Sequence, residues 1–240
     1  MKLTVLAIKE KHMFNKISSV MRRELSAYFS SPTALIFLAT YLFANLFIFF
    51  IVEKFFARNI ADLRPLFEWM PLLLIFLIST LTMKMWSDER RMGTVEFLLT
   101  LPIRTHELVL GKFIACMTLI SLALFLTVGL AVTVGQLGNI DWGPVWGAYI
   151  ASLLLAGAYT SIGLYISSKT DSQIISLITT ALVCFILYVV GSDGFVGFFG
   201  NKSAEILKLF GSGSRFTSIS RGVLDLRDIF YPIHHYLLYQ

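Results

Sequence analysis

Charged residues are scarce in this chain, and five long stretches lack them altogether. Only 15% of the 240 residues are Asp, Glu, Lys or Arg, whereas a soluble domain has roughly 25%. So few charges cannot form a solvated shell around a sequence that is 56% hydrophobic. Part of the surface must therefore be apolar, which excludes an ordinary water-soluble globular domain.

The uncharged stretches have the length of membrane spans. A helix needs about 20 mostly apolar residues to cross the hydrocarbon, and four of the five stretches reach that length. The second reaches it if Glu68 and Lys84 extend their charges to the interface. A buried helix of a soluble core would explain one such stretch, but five leave no polar helices to cover them. The stretches are Thr33–Val52, Trp69–Met83, Phe113–Ile140, Trp142–Ser168 and Ser172–Ser192.

The sequence therefore predicts an all-α, polytopic membrane protein with one transmembrane domain, residues 1–240. The last twelve residues, IFYPIHHYLLYQ, look like the start of a sixth span and are too short to cross. Either that span is truncated or the crossing is absent, and we expect truncation. The predicted segments are an interfacial helix (13–31), five spans (33–52, 69–86, 113–134, 144–167, 172–190), a cytoplasmic loop (87–112), a non-cytoplasmic segment (191–228) and the truncated span (229–240).

Motifs for catalysis and for nucleotide binding are also missing. Gly111–Lys112 does not belong to a phosphate-binding loop, because His106 replaces its first glycine and Phe113 its Ser or Thr. No ionisable residue lies inside the five stretches, whereas membrane enzymes and proton-driven pumps usually have one at that depth. The neutral exceptions Asn45 and Gln136 are expected to bond neighbouring helices. We predict no catalytic residue and no cofactor bound by this chain.

Metal and nucleic acid are not expected as ligands. His234 and His235 are adjacent, so on a helix they point in different directions and cannot bind one metal ion together. The net charge is +5, but the basic residues lie in loops and form no face interleaved with aromatic residues. Cys116 and Cys184 fall inside predicted spans and are interpreted as small apolar packing residues.

An amphipathic helix is predicted before the first span. Its apolar positions recur at spacings of three and four, and its basic residues lie off that stripe, as in helices on a membrane surface with anionic headgroups. The alternative is a soluble helix packed on a partner. Pro32 should turn the chain into the bilayer. The stripe is Phe14, Ile17, Met21, Leu25 and Tyr28, and the basic residues are Lys16, Arg22 and Arg23.

The distribution of basic residues indicates the orientation. Loops on the side of the N-terminus hold twelve Lys and Arg residues against eight on the other side, and six of the twelve precede the first span. Short basic loops near the first span usually remain in the cytoplasm. We therefore expect an inner (plasma) membrane protein with its N-terminus and the loop 87–112 in the cytoplasm.

Small residues repeat every four positions in the fourth predicted span. Such spacing lets helices approach closely in lipid. It fits either a subunit interface or packing within the chain, and we expect the second. The residues are Gly143, Gly147 and Ala151, and Ala148, Ser152, Ala156 and Thr160.

The loop 87–112, SDERRMGTVEFLLTLPIRTHELVLGK, concentrates four acidic and four basic residues between apolar spans. We predict a short helix over 94–101, with Glu96 in its first turn and Pro102 at its end, and a cap at Thr105 for the next helix. Its apolar patch, ringed by charge, suits a groove on another protein. The alternative, equally favoured, is that this patch folds back onto the chain's own N-terminal helix. The patch consists of Val95, Leu98 and Leu99.

The string TMKMWSDERRMGTVEFLLTLPIRTHELVLGKF resembles the signature of type-2 ABC transporter permeases (the ABC-2 family). It is most similar to the subunit associated with gliding motility and to nitrous-oxide-reductase-linked relatives. The likeness continues in RRELSAYFSSPTALI, SIGLYISSKTDSQI and FTSISRGVLDLRDIFY, so it covers nearly the whole chain. The sixth span of that family is cut short here.

The resemblance implies a permease subunit of an ATP-driven exporter. Such permeases pair as homo- or heterodimers and dock a separate ATPase, which binds ATP and Mg, through a coupling helix between spans two and three. An auxiliary subunit with an extracytoplasmic domain is a further candidate partner. The alternative function is a non-transporting membrane anchor that assembles a surface or motility complex. The implied coupling residues are Asp88, Glu89, Arg90, Arg91, Gly93, Thr94, Glu96, Leu98, Leu99 and Pro102.

Overall fold

The structure, a computed structural model, describes residues 2–100 and 104–192 together with Gly213 and Phe216. This described part contains helices and turns but no strand, which confirms the all-α class. Five of its helical segments are long and apolar enough to cross a membrane, which confirms the polytopic prediction. The helices are α1 (Lys2–Ser30), α2 (Pro32–Phe47), α3 (Phe55–Arg58), α4 (Arg64–Thr82), α5 (Ser87–Arg91), α6 (Thr94–Thr100), α7 (Thr105–Leu137), α8 (Trp142–Lys169) and α9 (Gln173–Val190).

The spans extend beyond the uncharged stretches that predicted them. The first continues from α2 through a π-helix, Ile48–Val52, and α3. The second begins at Arg64 rather than 69, and the third at Thr105 rather than 113. Charged residues are good helix formers, so a helix continues past the point where its sequence stops being apolar. Most of the predicted segment 191–228 and all of 229–240 lie outside the described residues.

Helix α4 is the centre of the bundle and packs against α2, α7, α8 and α9. Its residues Met70, Leu74, Ile78 and Leu81 are fully buried. On α8, Ala148, Ala151, Ser152, Ala156 and Thr160 are buried and pack within the chain, as expected, whereas Gly143 is exposed and Gly147 half-buried.

Helix α1 packs along α7, and it is longer than the predicted interfacial helix. The packed face differs from the predicted stripe at its start, because Phe14 is 72% exposed whereas Val20 is buried. Met21, Leu25 and Tyr28 do pack against the core. Pro32 is the first residue of α2, directly after the bend at Ser31, so the expected turn lies at that position.

Two polar residues in the spans behave differently from the expectation. Asn45 is buried, but its Nδ2 donates to the carbonyl of Tyr41 in its own helix, 2.8 Å away. Gln136 lies on the exposed side of α7. The backbone of its own helix thus satisfies the Asn45 amide donor, whereas Asn45 Oδ1 is buried without a hydrogen-bond partner among the described residues. Cys116 and Cys184 are free and buried, in keeping with a packing role.

Candidate functional site

The implied coupling residues from Asp88 to Leu99 lie in a helical hairpin between α4 and α7. We call α5 and α6, residues 87–100, the charged hairpin. Gly93 joins the two helices with φ +69°, a left-handed conformation that glycine adopts without strain. The N–H of Gly93 donates to the Arg90 carbonyl at 3.0 Å, and the Thr94 hydroxyl donates to the Glu89 carbonyl at 3.2 Å. The turn between the two helices is therefore closed by one backbone bond and one side-chain bond within the hairpin.

One side of α5 is attached to the turn between α8 and α9. Arg90 Nε donates to Asp171 Oδ1 at 2.8 Å, and its Nη1 donates to the Ser168 carbonyl at 2.6 Å. Gln173 Nε2 donates to Asp88 Oδ1. The pair of Arg90 and Asp171 is exposed, with side-chain exposures of 42% and 70%, so water and salt screen it.

The start of α5 is held by a buried serine of α8. Ser167 Oγ accepts from the backbone N–H of Trp86 at 3.1 Å and of Ser87 at 3.3 Å. Both Ser87 and Ser167 are fully buried. These bonds satisfy backbone donors that the first turn of a helix leaves without an internal partner.

The other side of α5 meets a buried lysine. The Nζ of Lys112 on α7 donates to Glu89 Oε1 at 2.9 Å, to Glu24 Oε1 of α1 at 3.1 Å and to the Met85 carbonyl at 2.7 Å. The side chain of Lys112 is only 1% exposed, against 13% for Glu89 and 15% for Glu24. Lys112 Nζ also lies 4.8 Å from the ring centroid of Trp86, a cation–π distance.

Helix α1 is held against this end of the bundle by further contacts. The Tyr28 hydroxyl donates to the Leu81 carbonyl at the end of α4. Burial raises the pKa of Tyr28 well above its ordinary value, and the nearby carboxylates of Glu24 and Asp88 raise it further. The hydroxyl therefore remains a donor at neutral pH.

The start of α7 differs from the predicted cap at Thr105. Arg104 is the N-cap residue, and its backbone N–H donates to Glu107 Oε2 at 3.0 Å. Glu107 is buried and lies 3.9 Å from Lys16 Nζ of α1. A glutamate three residues after the cap can accept the cap's own N–H, and this contact identifies Arg104, one residue before Thr105, as the N-cap of α7.

The implied coupling residues thus divide into an internal and an external group. Asp88, Glu89 and Arg90 make the contacts within the chain described above. The side chains of Leu98 and Leu99, and Pro102 as a whole, lie outside the described residues. The residues left exposed are Arg91, Met92, Gly93, Thr94 and Glu96, with Val95 half-buried.

Lys112, Glu24 and Asp171 were not predicted as site residues. A signal for Lys112 exists in the sequence of α7, because small or apolar residues follow it at helical spacing. Helical periodicity places Lys112 on the same face as those residues, which predicts its burial. They are Cys116, Leu119, Ile120 and Ala123, all buried.

Five apolar spans with a charged hairpin between the second and the third define a polytopic membrane protein. The model of a family described as "ABC-2 family transporter protein" matches residues 26–236. The chain belongs to this family, as its resemblance indicated. It is thus a multi-pass membrane protein, and its family implies an ATPase subunit as partner. No curated protein matches the chain.

Proposed function

We propose that this chain is the permease subunit of an ATP-binding cassette exporter in the inner membrane. In this proposal the N-terminus and the charged hairpin lie in the cytoplasm, and a separate subunit binds ATP and Mg. A second permease subunit completes the translocation path. Family membership supports the transport role, and the basic residues before the first span support the orientation.

The observation that favours docking at the charged hairpin is the difference between its two ends. Helix α5 is attached to the bundle through Asp88, Glu89 and Arg90. The turn after α5 and the start of α6 leave Met92 64% exposed, next to the exposed residues Thr94 and Glu96. A segment that is anchored at one end and exposed at the other is suited to transmit a push from a partner. We propose that ATP binding closes the ATPase subunits and moves this segment.

A link to gliding motility belongs to the same proposal and is supported only by sequence resemblance. If the chain anchors or assembles a surface complex instead, the same hairpin would bind its partner. Transport separates the two roles. ATP-dependent movement of a labelled substrate into proteoliposomes that contain the chain and its ATPase supports the exporter, and partner binding without movement supports the anchor.

Cysteine labelling in intact cells tests the orientation. Thr94→Cys should react with a membrane-impermeant maleimide only after the cells are permeabilised, whereas Ile60→Cys, 66% exposed in the opposite loop, should react without permeabilisation. The native Cys116 and Cys184 are 0% and 1% exposed, so they give little background. Reaction of Thr94→Cys in intact cells would overturn the cytoplasmic placement and the docking role with it.

A charge reversal tests the docking role itself. Glu96→Arg should reduce stimulation of the co-purifying ATPase by about tenfold, which equals about 1.4 kcal/mol of binding or coupling energy. Glu68→Arg is the matched control, because Glu68 is also exposed but lies at the far end of α4. Equal stimulation in both variants would contradict a docking role for this surface.

A further inference from the structure

Three consecutive residues of the charged hairpin contact two different parts of the bundle. Asp88 and Arg90 bond the turn between α8 and α9, whereas Glu89 bonds Lys112 on α7. Successive residues of a helix are rotated by about 100°, so Glu89 points away from the side of α5 that Asp88 and Arg90 flank. Helix α5 thus lies between two groups of helices and is linked to each of them separately.

Helices α1 and α7 behave as one of these groups. Val20 packs directly on Gly111, with Leu108 beside it. Lys16 lies 3.9 Å from Glu107, and Glu24 bonds Lys112. The contact between Glu24 and Lys112 is therefore one of several that hold α1 to α7, and its loss would leave the other contacts in place.

The contact between Glu89 and Lys112 has a different position in the structure. Among the described residues, it is the ion pair that joins α5 itself to α7. The other contacts of Lys112 near the hairpin come from the turn before α5, through Met85 and Trp86. A displacement of the charged hairpin would therefore reach α7 most directly through Glu89.

The cluster is also incompletely satisfied on the side of Glu89. The three bonds of Lys112 Nζ use all its donors. The second oxygen of Glu89, Oε2, is buried without a hydrogen-bond partner in the described part of the chain. Glu24 and Glu89 share one ammonium group. When a carboxylate with one unsatisfied oxygen moves, it loses less hydrogen-bond energy than a fully bonded carboxylate would.

We propose that the ion pair between Glu89 and Lys112 is the positioning link through which movement of the charged hairpin is transmitted to α7, and with it to α1. The inference rests on the proposed function, because it assumes that an ATPase moves the hairpin. It assigns to Lys112 a role in coupling, beyond holding the fold together.

Two matched variants test the link. Glu89→Met and Glu24→Met each remove one carboxylate from the same lysine, and the two side chains are similarly buried, at 13% and 15% exposed. In both variants Lys112 keeps one carboxylate, so the remaining charges balance. Only Glu89→Met removes the ion pair between α5 and α7.

The measurement is a nucleotide-dependent distance in the complex of the full chain with the ATPase that co-purifies with it. Spin labels are placed at Phe43 on α2 and Phe125 on α7, which are 69% and 71% exposed. Pulsed EPR then compares the distance without nucleotide and with ATP and vanadate. We expect Glu24→Met to keep the wild-type shift in distance and Glu89→Met to lose it, with the ATPase still bound.

The outcomes separate the two proposals. If the wild-type complex shows the shift and both variants keep it or both lose it, the positioning role of Glu89 is overturned while the proposed function stands. If the wild-type chain retains no ATPase or shows no shift in distance, both the proposed function and the positioning role of Glu89 are contradicted. Should Glu89→Met fail to fold, Glu89→Asp and Glu24→Asp repeat the comparison, because the shorter carboxylate keeps its charge but withdraws from Lys112.

Discussion

The side chain of Val20 lies directly against Gly111. Its Cγ1 atom is 2.6 Å from the position that a Cβ atom on Gly111 would occupy, and the Ile17 carbonyl oxygen is 3.2 Å from that position. Helix α1 can approach α7 this closely only because position 111 has no side chain. This close approach lies one residue before Lys112, so it also sets the distance between Glu24 and that lysine.

Gly111→Ala should destabilise the protein, because the new methyl group would displace Val20 and the backbone of α1. Overpacking of this kind costs about 1–3 kcal/mol, and thermal unfolding in detergent would measure it. Gly129→Ala, in the same helix, is the control, since no heavy atom lies within 4 Å of its added Cβ. That change should be neutral or stabilising by up to about 1 kcal/mol. Equal melting temperatures for the two variants would contradict the close packing of α1 on α7.

Lys112→Met should destabilise the protein more strongly. The change leaves Glu24 and Glu89, which are 15% and 13% exposed, without their shared cation. Loss of one partner of a buried ion pair costs about 3–5 kcal/mol. Lys169→Met is the control, because Lys169 is exposed at the end of α8. Denaturant unfolding of both variants measures the difference. A loss for Lys112→Met no larger than that for Lys169→Met would show that the cluster contributes little to the fold.

The spans could be predicted because the length of an uncharged stretch reports the thickness of the hydrocarbon directly. The ends of the spans could not be predicted, because hydropathy does not mark where a helix begins or ends. Helix α7 continues from Lys112 back to Thr105 through a segment that includes the polar residues His106 and Glu107. The helix start there depends on a contact between Arg104 and Glu107, and two candidate caps one residue apart are difficult to separate by sequence.

The charged hairpin was located by sequence, but the direction of its side chains was not. In the sequence, Asp88, Glu89 and Arg90 read as one exposed charged run. In the structure, their side chains contact two different groups of helices. Their partners Asp171 and Lys112 are distant in sequence, so no local pattern pairs them. Only the burial of Lys112 had a local signal, its helical register with Cys116.

Asp171→Asn should have a small effect that depends on salt. The pair of Arg90 and Asp171 is exposed, and such pairs contribute about 0.2–1 kcal/mol. The Arg90 bond to the Ser168 carbonyl remains in the variant and limits the loss further. Melting temperatures at low salt and at about 1 M salt, where charges are screened beyond about 3 Å, should differ less for the variant than for the wild type. A loss as large as that of Lys112→Met would mean that this contact, too, is essential for the fold.

Gly93→Ala should distort the charged hairpin without affecting the spans. No heavy atom lies within 4 Å of the added Cβ, so the cost comes from the backbone alone, at φ +69°. An L-residue other than glycine costs about 1–2 kcal/mol in this conformation, whereas asparagine tolerates it better. Hydrogen exchange of residues 87–100 should therefore rise in Gly93→Ala and remain near the wild-type level in Gly93→Asn.

The turn at Gly93 sets the angle between the anchored α5 and the exposed start of α6. ATPase stimulation should therefore fall more in Gly93→Ala than in Gly93→Asn. If Gly93→Ala raises exchange but leaves stimulation unchanged, the angle between α5 and α6 does not matter for docking, and the contact with the ATPase must lie elsewhere.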